Sequence, residues 1–256
     1  MTLAVRQQTK PRKPRKPKLT VVPAPPVQQT IAALKGALDG QTVVVLGAGG
    51  LDYMRPRALA GLTVISVNSS ARKWGLTPQY VVVKEHREEA VPNAEAFPGV
   101  PIICAAGPYG NADRPEPPAI PDLYTFEHLE NRAGDFDVYR DWPTDPDSLV
   151  VSMSTMTSAM HFAAYAGASV IMVAGLVCGT LEGRTHYKGY GHPDDIDGDQ
   201  PAWMADWLAK TERQALAVRR ELVRRYDVDI IGLTPWITPE LDGLVYRSPA
   251  NAINAW

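Results

Sequence analysis

The residues best suited to chemistry gather in the loop from Arg184 to Pro193, which directly follows an apolar run. Two histidines, two tyrosines, an arginine and a lysine lie among its glycines. An imidazole near its ordinary pKa can take a proton at neutral pH, and tyrosine hydroxyls can hold phosphate oxygens. The loop therefore predicts acid–base chemistry or phosphate binding. Its candidate catalytic residues are His192, His186, Tyr187 and Tyr190, and Arg184 is a candidate phosphate ligand.

A glycine-rich turn, Gly47-Ala48-Gly49-Gly50, follows the first apolar run of the chain. Glycine lets a chain turn tightly, and a helix that follows can offer its N–H groups to a phosphate. The turn therefore predicts either a nucleotide-binding loop or a tight connection between a strand and a helix. A dinucleotide fingerprint would need glycine at Asp52 and an acidic residue near Asn68, so a dehydrogenase is disfavoured.

Hydroxyl side chains stand at the start of a small-residue helix that ends at Ala166. They are Ser152, Ser154 and Thr155. Such residues either cap a helix or, with the first N–H groups, bind an anion, and the sequence favours neither use. The next apolar run ends in Gly175, another candidate ligand contact. His161 lies inside the helix among apolar residues and is interpreted as structural.

Metal and hydrolase chemistry find little support in the sequence. Four aspartates follow the histidine loop: Asp194, Asp195, Asp197 and Asp199. Their spacing misses the EF-hand pattern, and no Cys/His set has zinc spacing, so no metal ligands are assigned. The chain also lacks the G-x-S-x-G elbow of the common hydrolase fold.

Continuous apolar runs of four or five residues predict strands buried on both faces of a parallel sheet. The runs are Thr42–Leu46, Thr63–Val67, Tyr80–Val83, Pro101–Ala105, Val170–Ala174 and Asp229–Leu233. Their connections indicate right-handed crossovers and therefore an α/β fold. In such sheets ligands bind at the carboxyl ends of the strands, which is where the candidate residues above lie.

Helices are predicted to flank this sheet over Gln29–Leu38 and about Pro201–Tyr226, besides the one that ends at Ala166. The longest helix carries one stripe predicted to be buried: Trp203, Trp207, Thr211, Ala215, Val218, Leu222 and Tyr226. Residues 107–148 are rich in proline, glycine and aspartate, and only Leu123–Phe126 is typical of a strand. We interpret 107–148 as an irregular insertion within a single domain, 31–256.

Composition and charge place the chain among ordinary globular proteins. Its 256 residues are 45% hydrophobic and 21% charged, with a formal net charge of −2. Cys104 and Cys178 lie in apolar contexts, which predicts buried thiols in a reducing compartment. No apolar run has the roughly 18–20 residues that span a bilayer, and no signal peptide is predicted, so the expected location is the cytoplasm.

Residues 1–30 predict a disordered tail, because they are rich in proline and poor in apolar surface. Basic side chains crowd this tail: Lys10, Arg12, Lys13, Arg15, Lys16 and Lys18. The tail either keeps the protein soluble or contacts the phosphates of a nucleic acid. The sequence leaves the oligomeric state open.

Several ordered motifs resemble two related groups of proteins with Rossmann-like folds. These are the bacterial sialyltransferases that use CMP-sialic acid, and the pterin-pyrophosphokinase-like proteins, which include motility accessory factors. The similar stretches are VVVLGAGGLDYM, TVISVN, SMSTMTSAMHFAAYAGASVIMVAGL and THYKGYGH. Bacteriophage proteins with a G-x-T-H-W…H-P loop resemble the stretch from Gly183 to Pro193 more closely still. For a phage protein, the expected location is the host cytoplasm.

The resemblance implies a nucleotide site and a role for each matching residue. Gly47, Gly49, Gly50 and Asn68 would face the nucleotide. Ser154 and Thr155 would lie at its cytidine or phosphate end, and His192 would be the general base. The chain departs from the family pattern: Gly50-Leu51 replaces Pro-Ser-Leu, and Val177 stands near the usual aspartate. Two extra residues in the histidine loop make His186 and Tyr190 competitors for the base position.

The leading hypothesis is a metal-independent glycosyltransferase that uses a CMP- or NDP-linked sugar as donor substrate and has no tightly bound cofactor. Tyr187, Tyr190 and Arg184 would hold the departing phosphate together with the helix start at Ser154–Thr155. The basic tail suggests an acceptor on or near nucleic acid. The alternatives are a pterin-pyrophosphokinase-like enzyme, which would need Mg²⁺, and a phage protein that binds a nucleotide without catalysis.

Overall fold

The computed structural model describes residues 29–106, 120–130, 142–179, 184–187, 190 and 202–234. Within these ranges the strands, in chain order, are β1 (Gln29–Thr30), β2 (Thr42–Leu46), β3 (Thr63–Val67), β4 (Tyr80–Val83), β5 (Ile102–Ala105), β6 (Leu123–Glu130), β7 (Ser148–Val151), β8 (Val170–Ala174) and β9 (Asp229–Gly232). The α-helices are α1 (Ser70–Trp74), α2 (Val91–Ala96), α3 (Thr155–Tyr165) and α4 (Ala202–Tyr226). Short 3₁₀ helices cover Ile31–Leu34, Leu51–Tyr53 and Pro56–Leu59, and one π turn covers His86–Ala90.

The described strands form one parallel sheet in the order β1-β6-β5-β4-β3-β2-β8-β9, with β7 paired to β6. From β2 the chain adds β3, β4, β5 and β6 to one side, and then returns to the other side of β2 for β8 and β9. The strand order therefore reverses between β2 and β8. A parallel sheet with this reversal and flanking helices is a Rossmann-like α/β fold, as the apolar runs predicted, and it opens a crevice at the reversal.

Side chains of β2 alternate between two apolar layers, as the pleat of a strand requires. Val43 and Val45 pack with α3, whose residues from Thr155 to Ala164 are all buried. Val44 and Leu46 pack on the opposite face, in a cluster that includes Tyr187 and Tyr190. The loop predicted to be catalytic therefore also covers one face of the central strand.

The chain before β2 corrects the predicted helix over Gln29–Leu38. Gln29–Thr30 pairs with β6, and only Ile31–Leu34 is helical, as a 3₁₀ turn. The amides of Leu38 and Gly40 instead donate to the carbonyls of Ala166 and Gly167. These tertiary hydrogen bonds outweigh the helix propensity of the segment. Residues 29 and 30 also shorten the predicted tail, whose residues 1–28 lie outside the described ranges.

The predicted insertion over 107–148 contains a longer strand than the one predicted at Leu123–Phe126. β6 is an eight-residue strand, twice the length predicted, and it pairs with β1, β5 and β7. Leu123 and Phe126 are buried, so this segment is an integral strand of the sheet. Residues 107–119 and 131–141 lie outside the described residues.

Other expectations hold. All six predicted strands match an observed strand to within one residue at each end, and α4 begins one residue after the predicted start. Both cysteines are free thiols, with Cys104 buried and Cys178 half-buried. Burial raises the pKa of the Cys178 thiol to about 12. Among the described helices, none has the length and apolar character needed to cross a membrane.

His161 of α3 is structural, as predicted. Its Nδ1 accepts a hydrogen bond from the Val150 amide at 3.0 Å, so the proton of the neutral ring sits on Nε2, 2.7 Å from the Tyr226 hydroxyl. The ring also lies 4.7 Å from that of Trp142. Complete burial, with a smaller contribution from Arg225, lowers the pKa of His161 to about 3.

We expect His161 to make the fold sensitive to acid. The unfolded chain binds the proton near pH 6.5, whereas the folded chain binds it only near pH 3, so stability falls as pH falls between these values. The expected loss is about 1.4 kcal/mol per pH unit in this window. Urea unfolding at pH 7.5, 5.5 and 4.5 measures it. His161→Gln should remove this contribution to the dependence of the unfolding free energy on pH. An unchanged dependence in that variant would contradict the assignment of the acid sensitivity to His161.

Candidate functional site

A cavity of about 320 Å³ opens at the carboxyl ends of β2, β3 and β8, where the strand order reverses. Its walls come from the glycine turn after β2, the end of β3, the start of α3, the turn after β8, the histidine loop and the first half of α4. Most of the residues predicted for the site meet here: Gly47, Ala48, Gly49, Asn68, Ser154, Thr155, Gly175, His186 and Tyr190. The sheet edge that was predicted to bind a ligand therefore contains a cavity.

The glycine turn is a close crossing of two strand ends. The amide of Gly47 donates to Ala174 at 2.7 Å, and that of Gly49 donates to Gly175 at 2.8 Å. A Cβ on Gly47 would lie 2.6 Å from the Gly175 carbonyl oxygen, and a Cβ on Gly175 would lie 2.3 Å from that of Gly47. The turn is a tight connection, and its Gly47 and Gly49 amides already donate within the protein; whether the turn also contacts a ligand stays a prediction.

The helix expected after this turn is only the three-residue 3₁₀ helix Leu51–Tyr53. Gly50 precedes it with a left-handed φ of 65° and is not among the residues that line the cavity. The first crossover therefore does not supply a long helix whose N–H groups face a phosphate. That part of the expectation for the turn is wrong.

Asn68 ends β3 in a left-handed conformation, with a φ of 51°. Its amide donates to Val82 at 3.0 Å, and its carbonyl accepts from Asn93 Nδ2 at 3.2 Å. Its side-chain Oδ1 is buried and has no hydrogen-bond partner within the described structure. A strained residue that leaves a buried acceptor unpaired beside a cavity is typical of a ligand contact.

The start of α3 forms the wall opposite Asn68. Ser154 caps this helix by accepting a hydrogen bond from the Met156 amide at 3.3 Å. The Lys84 ammonium donates to the Ser152 carbonyl at 2.9 Å, and Gln214 accepts from the Met153 amide at 2.8 Å. β4 and α4 therefore fix the position of this helix start. Capping, one of the two alternatives for Ser154, is shown, and the positive end of the α3 dipole faces the cavity.

His186 and Tyr190 form one stacked pair in the cavity wall. Their ring centroids lie 4.7 Å apart, with an interplanar angle of 7°. His186 Nδ1 is 2.9 Å from the Thr185 hydroxyl. The Lys73 ammonium lies 4.0 Å from the centroid of the Tyr190 ring and donates to the Tyr190 carbonyl. The imidazole is therefore held in a defined plane at the cavity.

The Tyr190 hydroxyl belongs to a hydrogen-bond chain behind this wall. It lies 3.1 Å from Ser69 Oγ, which in turn donates to Glu89 at 3.4 Å. Asn93 donates to the same carboxylate and to the Asn68 carbonyl. Burial raises the pKa of both Tyr190 and Glu89. The chain thus ties the histidine loop to the end of β3.

Tyr187 and Arg184 are placed differently from the predicted catalytic set. The Tyr187 amide donates to the Ala48 carbonyl at 2.8 Å, and its ring is buried with Val44 and Leu46 rather than lining the cavity. Burial raises the pKa of Tyr187 to about 12. Arg184 lies 3.6 Å from Asp52 and is likewise not among the lining residues. Both residues anchor the histidine loop to the glycine turn.

Several predicted residues lie outside the described ranges. They are His192, Lys188 and the four aspartates Asp194, Asp195, Asp197 and Asp199. The described residues hold no group of three or more His, Cys, Asp or Glu side chains placed to bind a metal ion. Among the described lining residues there is also no Lys, Arg, Asp or Glu.

One wall was missed by sequence reasoning. The first three turns of α4 contribute Trp203, Met204, Trp207, Leu208 and Thr211 to the cavity. Trp203 was predicted to be buried with the rest of the apolar stripe, but 57% of it is exposed. The available signal was the length of the stripe, which runs about two helical turns beyond the residues that pack in the core.

We expect the crossing of Gly47 and Gly175 to tolerate no side chain. Gly61→Ala is the matched control, since Gly61 has the same left-handed φ (82° against 84°) but open space around it. Gly61→Ala should lower the free energy of unfolding only by the backbone strain, about 1–2 kcal/mol. Gly175→Ala adds a clash with backbone and should cost at least about 2 kcal/mol more. Denaturant unfolding compares the two, and equal losses would contradict the close crossing.

The comparisons with known proteins add no relative. Scans against protein-family models, curated proteins and solved structures find no match to this chain. The resemblance of its short motifs to the sialyltransferase and pterin-pyrophosphokinase-like groups therefore stays an expectation. What the cavity does is inferred from its own geometry.

Proposed function

We propose that this protein is a glycosyltransferase that binds a nucleotide-activated sugar in the cavity between β2 and β8. The observation that carries the proposal is the meeting of three features in one cavity of about 320 Å³. These are the start of α3, the unpaired Oδ1 of Asn68 and the held imidazole of His186. They supply, in that order, stabilisation of a phosphate, an acceptor for a ligand hydroxyl or amino group, and a proton acceptor.

The phosphate is assigned to the α3 start at Ser154 and Thr155. The dipole of this 11-residue helix places partial positive charge there, and charge that develops on a leaving phosphate is stabilised by such a fixed dipole. Gly47 and Gly49 line the cavity at the neighbouring strand end. The donor is bound as a substrate, not as a resident cofactor.

The charge of the cavity favours a donor with a single phosphate, of the CMP type, over a diphosphate donor. The described lining residues include no Lys, Arg, Asp or Glu, and the groups they offer an anion are one helix dipole and side-chain or backbone hydrogen-bond donors. A diphosphate brings more charge and is normally held by arginine, lysine or a metal ion. A pyrophosphokinase, the alternative from the sequence, would also need carboxylates for Mg²⁺. The candidate carboxylates, the four aspartates at 194–199, lie outside the described ranges.

The proposed reaction needs one general base. We assign to His186 the tautomer in which Nδ1, 2.9 Å from the Thr185 hydroxyl, carries the proton, so that the Nε2 lone pair takes the proton of the acceptor hydroxyl. The acceptor oxygen then forms a bond to the anomeric carbon, while the bond from that carbon to the phosphate oxygen breaks. The nucleoside monophosphate leaves with the electron pair. His192 is the second candidate for the general base, because of the resemblance of its loop. The proposal of an acceptor on or near nucleic acid depends on the basic tail.

We expect CMP to raise the melting temperature of the full chain without added metal. At a hundred-fold excess over Kd the shift should be roughly 5 °C or more for a protein of this size. The panel is CMP, CDP, UDP, GDP, ATP and NAD, each with and without Mg²⁺. Stabilisation by ATP only with Mg²⁺ would favour the pyrophosphokinase, and stabilisation by NAD alone would refute the proposal.

Replacing the base should slow catalysis without weakening binding. We expect His186→Gln to lower the rate of CMP release from a CMP-activated sugar by about 100-fold. Its affinity for CMP should change little, because the imidazole acts on the acceptor. His128→Gln is the control, since His128 of β6 does not line the cavity.

The same assay identifies the working histidine. A loss in His192→Gln with an intact rate in His186→Gln would transfer the base to His192 and leave the transferase proposal in place. Unchanged rates in both variants and in the double variant would show that histidine catalysis is absent. Another group would then have to take the proton, whereas a native chain that binds CMP but releases none from the activated sugar would only bind nucleotide.

A further inference from the structure

The apolar stripe of α4 extends beyond the protein core and into the cavity. Thr211, Ala215, Val218 and Leu222 of this stripe are buried, whereas Trp203 at the start of the helix is 57% exposed. Trp207 stands one turn after Trp203, on the same face, and also lines the cavity. The helix thus presents two indole rings to whatever fills the cavity.

The position of α4 is fixed relative to the proposed phosphate site. Gln214 accepts the Met153 amide directly before Ser154, so Thr211 lies next to the start of α3. From Thr211 to Trp203 the helix rises by about 12 Å, at 1.5 Å per residue. This rise is comparable to the span of a nucleotide from its phosphate to the far edge of its base. The tryptophans lie at the end of the cavity away from the α3 start.

We propose that Trp203 and Trp207 form the nucleobase subsite of the donor, a step that rests on the proposed function. The base stacks its face on the indole rings, while the phosphate lies at Ser154 and Thr155. Stacking on a rigid helix needs no charged partner, which agrees with the uncharged lining of the described cavity. Met204 and Leu208 are buried beside the two rings and exclude water from the base.

A flat aromatic base fits this wall better than the other parts of the donor do. The sugar and the phosphate carry hydroxyl and anionic groups, which are better satisfied by Asn68, Ser70 and the α3 start on the polar side. The α4 wall offers almost only apolar surface, so a hydroxyl-rich group there would lose hydrogen bonds to water without replacing them. Stacking also tolerates any base, and we therefore expect base identity to change affinity only modestly.

The test compares CMP with ribose 5-phosphate, which has the phosphate and the sugar but no base. Calorimetric titration of the full chain should give about ten-fold weaker CMP binding for Trp203→Ala, with ribose 5-phosphate affinity unchanged. Trp203→Phe keeps a stacking ring and should restore most of the CMP affinity. Val223→Ala, on an exposed part of the same helix, is the matched control and should bind as the native chain does.

Each outcome separates the subsite from the proposed function. If CMP binds and Trp203→Ala binds it equally well, the base lies elsewhere and only the subsite is refuted. If the variant weakens ribose 5-phosphate as much as CMP, the tryptophan shapes the cavity and does not stack on the base, which also refutes the subsite. If neither ligand binds the native chain, both proposals fail. Trp203 is largely exposed, so an unchanged melting temperature of the alanine variant checks that its fold is intact.

Discussion

The crossing of Gly47 over Gly175 is the contact on which the described site depends. β2 and β8 lie side by side in the sheet, and their backbones stay in contact beyond the last paired residues because neither glycine has a Cβ. The Gly175 amide is held by the Thr234 hydroxyl after β9, and its carbonyl accepts from Gly49. Both the N–H and the carbonyl of Gly175 are therefore held by hydrogen bonds. A side chain at either glycine would separate the strand ends and move the cavity floor.

Both layers of the fold meet at this crossing. On one face α3 covers β2 and begins at the cavity, where β4 and α4 hold its first residues through Lys84 and Gln214. On the other face the histidine loop is pinned through the Tyr187 amide to the Ala48 carbonyl. The helix start and the imidazole approach the crevice from opposite sides of the same strand. Topology rather than local sequence sets their distance.

Sequence patterns predicted the parts of the fold that a single segment determines. Val43–Leu46 is apolar at every position, which suits a strand covered on both faces, and the long stripe of α4 gave the helix its bounds. The helix predicted over Gln29–Leu38 is wrong because the amide at the end of this segment donates to the turn between α3 and β8, far along the chain. The length of β6 was underestimated for the same reason. Its polar residues belong to the sheet only because β1 and β5 pair with it on both sides.

The site was predictable as a set of residues but not as an arrangement. Tyr187 and Tyr190 are two tyrosines of one loop with equal prospects in the sequence, and both pack in the same cluster on one face of β2. Only Tyr190 also lines the cavity, where it stacks on His186, and the packing of the loop decides this difference. Trp203 was predicted to be buried because the spacing of apolar residues shows which face of a helix is apolar. It does not show how far along the helix that face is covered by the rest of the protein. Only the packed structure shows that limit.

The described lining of the cavity, which has no Lys, Arg, Asp or Glu, bears on how a ligand is selected. Asn68 holds a left-handed backbone and an unpaired Oδ1, a buried acceptor whose desolvation costs about 1–3 kcal/mol. The bonds from its amide to Val82 and from Asn93 to its carbonyl keep it in that conformation. A ligand that donates to Oδ1 recovers this cost on binding, whereas a ligand without a donor does not. Under the proposed function, selectivity among ligands comes from this one residue and from ring stacking, and neither involves an ion pair with the described lining residues.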